Sequence, residues 1–123
     1  MAIYVDAAIY PLGSVLMCHM FSPDVDELHS MAESIGVARR RFQDPRMGTG
    51  ISWPHYDIAS SERALAVSQG AYECDKYQTV AMAAIIRNRF WGIDRFDPLR
   101  NLRRSPFARH VPAWLAEQGY PQD

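Results

Sequence analysis

Four apolar residues at helical spacing, Leu28, Met31, Ala32 and Ile35, constrain this chain more than any other feature in it. They fall at i, i+3, i+4 and i+7, so they line one face of a helix, and that face must be buried against a second layer. Asp24 sets the start, because its carboxylate can cap the first free N–H groups and Glu27 three residues on completes a capping box. Gly36 supplies the stop, since glycine readily takes the left-handed conformation that ends helices. Just before the cap, Val15-Leu-Met-Cys-His-Met-Phe21 is apolar except for His19 and reads as a strand. A strand feeding a one-sided helix predicts a layered sheet-and-helix fold.

The rest of the chain repeats that alternation. Ala2-Ile-Tyr-Val-Asp6 reads as a short buried strand ending in a carboxylate, and Pro11 and Gly13 mark a loop. Arg39-Arg40-Arg41-Phe42-Gln43 reads as a short helix or turn, and Asp44 to Trp53 as a Pro/Gly-rich loop anchored by Met47, Ile51 and Trp53. A second helix is expected from about Ser60 to Gln69, closed by Gly70. A short strand follows over Ala71 to Cys74, and then a third helix from Gln78 to Phe90. Alternating strands and helices predict an α/β fold, with a small, mostly parallel sheet and packed helices in a single domain over residues 1–90. Residues 91–123 read as an Arg-, Pro- and aromatic-rich C-terminal extension that wraps the domain or a partner, with a last short helix from Pro112 to Gly119. With 123 residues, 48% of them hydrophobic, the chain can bury a core without disulfide or metal staples. No apolar run approaches the ~18 residues that span a bilayer, so no membrane partner is expected. Two cysteines, with no Cys-x-x-Cys and no secretory leader, point to a reduced, cytoplasmic protein.

The net charge of −1 conceals a segregation. Residues 1–38 hold five acids and no Lys or Arg, whereas residues 39–109 carry all thirteen bases, twelve of them Arg, against seven acids. Codon bias toward arginine explains this without a ligand; planar guanidinium groups suited to phosphate or carboxylate explain it with one.

Candidate chemistry centres on His55-Tyr56-Asp57, which places an imidazole, a phenol and a carboxylate just ahead of the second helix. His55 is the best general acid or base, because an unperturbed imidazole titrates near neutrality and Asp57 or Asp6 could orient it. Asp57 reads equally well as a cap for the helix that follows, and Tyr56 as a packing residue. His19, inside its apolar strand, is a structural histidine unless Asp6 at the end of a neighbouring strand meets it. If His19, His55 and Asp6 converge, they could form an acid/base pair or hold a divalent ion. No segment has metal-ligand spacing, a P-loop, a dinucleotide fingerprint or a zincin motif, so no metal is assigned and any cofactor stays unidentified. An anion site is expected at the start of the second helix, where Ser60, Ser61 and Arg63 stand near the free N–H groups, with Arg39 extending the positive surface and Gln43 adding a polar contact.

Tyr4-Val-Asp6, Cys18-His19, Asp24 with Glu27-Leu28-His29, Phe42-Gln43, His55-Tyr56-Asp57, Arg63 and Gly70-Ala71 occur here in one order. In that series, over roughly residues 1–74, the chain resembles the bacterial and phage family called domain of unknown function 4031. The resemblance implies a compact α/β fold and a shared polar site, and carries no activity with it.

Two functions are therefore expected as alternatives. The first is binding, with hydrolysis as its sharper form, of a phosphate-containing ligand such as a nucleotide or nucleic-acid end. His55, Asp57, His19 and Asp6 would be its catalytic residues, and Tyr56, Ser60, Ser61, Arg63, Arg39 and Gln43 its ligand contacts. The second is a non-enzymatic, phage-encoded interaction protein that binds a host protein or forms a homodimer through residues 87–120. Nucleic-acid binding by the arginine-rich tail ranks below both.

Overall fold

The computed structural model describes residues 2–48 and 50–122. In chain order the elements are β1 (Tyr4–Val5), β2 (Tyr10–Leu12), β3 (Val15–Phe21), α1 (Val25–Ser34), a 3-10 turn (Arg39–Arg41), β4 (Phe42–Gln43), β5 (His55–Ala59), α2 (Ser60–Ser68), β6 (Tyr72–Glu73), α3 (Lys76–Trp91), a second 3-10 turn (Pro106–Ala108) and α4 (Val111–Glu117).

The strands form one sheet in the order β4-β5-β3-β1-β6, with β2 folded back on β3. The fold is α/β, but the sheet is mixed and mostly antiparallel, which corrects the mostly parallel arrangement expected from the alternation of elements. Only β1 and β6 run parallel. The β1–β3, β2–β3, β3–β5 and β4–β5 pairs are antiparallel. The cause lies in two reversals that composition does not announce. Gly13, at φ 63°, closes a tight hairpin between β2 and β3, and residues 44–54 turn the chain back between β4 and β5. Parallel neighbours need a helical crossover, and only the passage through α2 leads to one.

Both faces of the sheet are covered, and strand alternation decides which residue goes where. On one face Val5, Cys18, Met20, Tyr56 and Ile58 pack with Leu28, Met31, Ala32 and Ile35 of the α1 region and with Ala66 of α2. The expected stripe is thus the buried face of α1. Asp24 accepts from the Glu27 N–H at 3.2 Å to begin that helix, and Gly36, at φ 82°, follows its end. On the other face Tyr4 and Phe21 pack with Ala81, Met82 and Ile86 of α3 and with Leu99, Leu102, Ala108, Val111 and Leu115. Helix α3 begins earlier than its apolar pattern suggests, because Asp75 caps the Tyr77 and Gln78 N–H groups while Gln78 accepts from the Asp75 N–H. The segment after α3 is held by Asn88, whose side chain donates to the Phe96 carbonyl and accepts from the Arg95 and Phe96 N–H groups. Tyr4 Oη donates to Gln118 Oε1 at 2.6 Å, tying the end of α4 to the first strand. No helix of the described residues is long and apolar enough to cross a membrane.

Candidate functional site

The register of β3 on β5 sets His19 opposite Asp57 and Met20 opposite Tyr56, while β4 sets Gln43 opposite His55. Because successive strand residues point to opposite faces, His19, His55 and Asp57 emerge together on the α3 side of the sheet. The α3 and α4 layer covers Tyr4 and Phe21 on that side. The two histidines and the carboxylate instead line a cleft of about 400 Å³, shared with Tyr10, Gln43, Trp53 and the loop over residues 50–52.

Each imidazole is oriented by a partner behind it. His19 Nδ1 lies 2.6 Å from Asp6 Oδ2, and the His19 backbone N–H donates to Asp6 Oδ1, also at 2.6 Å. An ionised carboxylate can only accept, so His19 carries its proton on Nδ1 and turns Nε2 to the cleft. His55 Nδ1 lies 2.9 Å from the Trp53 carbonyl, likewise an acceptor, which leaves Nε2 of the neutral ring bare. The two Nε2 atoms face the same oxygen, Asp57 Oδ1, at 3.9 Å from His19 and 3.4 Å from His55. One ligand atom from each of the three residues lies within 4.8 Å of the other two. Tyr10 Oη donates to that Asp57 oxygen at 2.7 Å and fixes the carboxylate. The His55 side chain is 11% exposed, those of His19 and Asp57 31% and 36%, so the cluster stays within reach of a solute.

These contacts separate the acid–base properties of the groups. Burial is the largest influence on His19 and disfavours its cation, yet the hydrogen bond and charge of Asp6, together with the charge of Asp57, outweigh it and raise its pKa. The hydrogen bond from His55, made when that ring is protonated, holds the Asp57 carboxyl below the usual range against the opposing effect of burial, and the Tyr10 hydrogen bond and the charges of both rings in their protonated form add to it. Burial, then the Asp57 hydrogen bond, push the Tyr10 phenol far up, so it serves only as a donor.

The structure brings together four of the residues singled out in the sequence. His19, His55 and Asp57 meet in the cleft with Gln43 at its wall, while Asp6 stands behind His19 rather than in the cleft. Asp57 lies within β5 and does not cap α2. That end is served by Glu62, whose Oε1 accepts from the Ala59 N–H and whose carboxylate pairs with both terminal nitrogens of Arg41. Tyr56 falls on the opposite face, fully buried, with its hydroxyl 2.7 Å from His29 Nδ1. It borders a separate hollow of about 350 Å³ with Glu33 and Arg39. Ser60 and Ser61 are exposed at the start of α2, and Arg63 spends its guanidinium on the Asp6 carbonyl and Glu73. The helix N-terminus and the cleft are thus separate places.

Two site residues are missing from the sequence reading. Tyr10 sits two residues before the hairpin turn, and only the β2–β3 register shows that it reaches Asp57. Trp53 is the loop anchor expected from composition. It also stacks on His55, with ring centroids 4.7 Å apart, and supplies the carbonyl that fixes the tautomer.

A family model described as "Protein of unknown function (DUF4031)" matches residues 3–86 and so includes every member of the cleft. No curated protein and no solved structure matches the chain.

Proposed function

We propose, from the premise that this chain belongs to the protein family of unknown function DUF4031, that it binds a phosphate-bearing ligand and hydrolyses its ester at His19, His55 and Asp57. The observation that carries this reading is that the cleft shares a wall with an arginine-lined groove. A hollow of about 710 Å³ lies beside the cleft, with Ser52 and Trp53 common to both and with Arg87, Arg95 and Arg100 among its other lining residues. Its one lining acid, Asp97, is already paired with Arg103, so the groove offers unspent positive charge. Arg87 lies over the Phe96 ring, 3.7 Å from its centroid, and its Nε is buried with no hydrogen-bond acceptor. Arg87 is thus held by its ring contact rather than by an ion pair, so its charge remains available to an anion in the groove.

A phosphate held there would present its ester to the cluster across Trp53. Water adds to phosphorus, the bond from phosphorus to the ester oxygen breaks, and an acceptor of the cluster takes the proton of the water and passes it to the departing alcohol. Inorganic phosphate or a phosphomonoester and a free alcohol are the products. Orientation of His19 by Asp6 and of His55 by the Trp53 carbonyl is the kind of pre-alignment such a step requires.

A simple assay tests this. The full chain is expected to cleave p-nitrophenyl phosphate or bis(p-nitrophenyl) phosphate, and His55→Ala to lower turnover by about 10²-fold or more while the circular dichroism spectrum is unchanged. Absence both of turnover and of thermal stabilisation by any phosphate compound would contradict the reading. It would favour the other one, a non-enzymatic protein that pairs with a second copy. The observation behind such pairing lies outside residues 87–120, the segment expected to carry it, at the tip of the β2–β3 hairpin, where Leu12, Val15 and Leu16 are exposed beside Ile9.

A further inference from the structure

The cleft presents an unusual electrostatic problem. With both histidines neutral and their protons drawn outward by Asp6 and Trp53, two nitrogen lone pairs and a carboxylate converge on one small volume. Among the described residues Tyr10 is the one donor hydrogen-bonded to the cluster, and it reaches only Asp57. Convergent acceptors repel one another unless something positive stands between them. A proton could bridge one pair, but no single proton is shared by three acceptors.

We propose that His19 Nε2, His55 Nε2 and Asp57 form the site of one divalent transition-metal ion of the zinc type. The inference deepens the hydrolytic reading above by supplying the cation at its centre. Three lines of chemistry select that ion. The first is geometry. Donors 2.0–2.2 Å from a tetrahedral zinc ion lie about 3.3–3.6 Å from one another; the His55–Asp57 separation of 3.4 Å falls in that range, and His19, 3.9 Å from Asp57 and within 4.8 Å of both partners, closes on the ion by a small side-chain shift. The second is the pattern of support. Metal-bound imidazoles characteristically donate their second N–H to a carboxylate or a backbone carbonyl, and Asp6 and Trp53 provide one of each. The third is ligand type. Two imidazoles and one carboxylate suit zinc and its neighbours, whereas magnesium and calcium favour oxygen donors throughout. Cys18 adds no thiolate, since it lies in the core on the opposite face and burial pushes its thiol up to about 12.

Three protein donors leave coordination positions that face the open cleft. Water bound there would be acidified by the ion and would become the attacking group of the hydrolysis, with its proton lost to solvent or to the departing alcohol; with both imidazoles committed to the ion, this replaces proton transfer to the cluster itself.

The test uses the full chain stripped with EDTA, with no phosphate compound present. Zn²⁺ is titrated by calorimetry, and Co²⁺ is followed by the intensified visible absorption that marks a site unlike its aqua complex. One ion per chain is expected. His19→Ala and His55→Ala should each weaken binding at least 100-fold. Asp6→Asn, which acts through His19, should weaken it about 10- to 100-fold, and His110→Ala, on the surface beside Asp75, should leave it unchanged. Absence of stoichiometric uptake of either ion by the wild-type chain would overturn the inference whether or not the variants fold. So would uptake that survives both histidine substitutions. Metal uptake without hydrolysis would uphold the inference and sink the hydrolytic reading; hydrolysis by the stripped chain without uptake would do the reverse.

Discussion

A chain shortened to end at Trp91 is expected not to fold. Residues 92–123 carry Leu99, Leu102, Ala108, Val111 and Leu115, all buried against Tyr4 and Phe21 of the sheet and Met82 and Ile86 of α3. Burial of one Leu or Val side chain contributes about 1.5–3 kcal/mol, so removing three Leu and one Val forfeits on the order of 6–12 kcal/mol. That is comparable to the whole stability of an ordinary domain, about 5–15 kcal/mol. The truncation also strips the cover from Tyr4, whose hydroxyl loses Gln118. Circular dichroism of the shortened chain should show no cooperative thermal transition. Leu115→Ala in the full chain should lower stability by about 2–5 kcal/mol in urea. A cooperative melt from the shortened chain would mean that residues 2–91 make a sufficient core alone.

Tyr56→Ala is the second large effect, expected to cost about 3–5 kcal/mol by analogy with other buried aromatic truncations. The ring is fully buried between α1 and the sheet, 5.4 Å from the Phe42 centroid, and its hydroxyl meets His29. Tyr56→Phe removes only that hydrogen bond and should cost about 0.5–1.5 kcal/mol. Because the phenol faces away from the cleft, the Phe variant should retain the hydrolysis and metal uptake of the parent. Urea unfolding read by fluorescence checks the stabilities. A loss below about 1 kcal/mol for Tyr56→Ala, or loss of ligand binding in Tyr56→Phe, would return Tyr56 to the role of ligand contact suggested by its place between His55 and Asp57.

That contrast shows where the sequence is legible. Helix α1 is readable because its stripe, its Asp24 cap and Gly36 all act within a dozen residues, and each is a local preference. The residues His19, Asp6, His55 and Asp57 are readable as chemistry because imidazoles and acids are scarce in apolar strands. Their grouping is not. His55, Tyr56 and Asp57 are adjacent in the chain, but a strand sends the middle one to the other face; had the segment been assigned to β5 rather than to a helix entry, period-two alternation would have separated them. Sheet direction was illegible for a related reason. It depends on whether the passages between strands reverse or cross over, and the reversal over residues 44–54 has the same loop-like composition that a crossover would show. The donor role of Tyr10 depends on register across the hairpin, a property of pairing rather than of any single segment.

The account stands on two imidazole nitrogens left bare toward one carboxylate, and NMR reads those nitrogens directly. Long-range proton–nitrogen correlation spectra of the metal-free, nitrogen-15-labelled chain, recorded at a pH above the titration of both rings, should show His19 and His55 each protonated at Nδ1 and unprotonated at Nε2. Addition of Zn²⁺ should then shift both Nε2 resonances and leave His110 unmoved. A proton on Nε2 of either ring, or rapidly averaging tautomers like those of an exposed imidazole, would contradict the convergence on which the proposed ion and the proposed hydrolysis both depend.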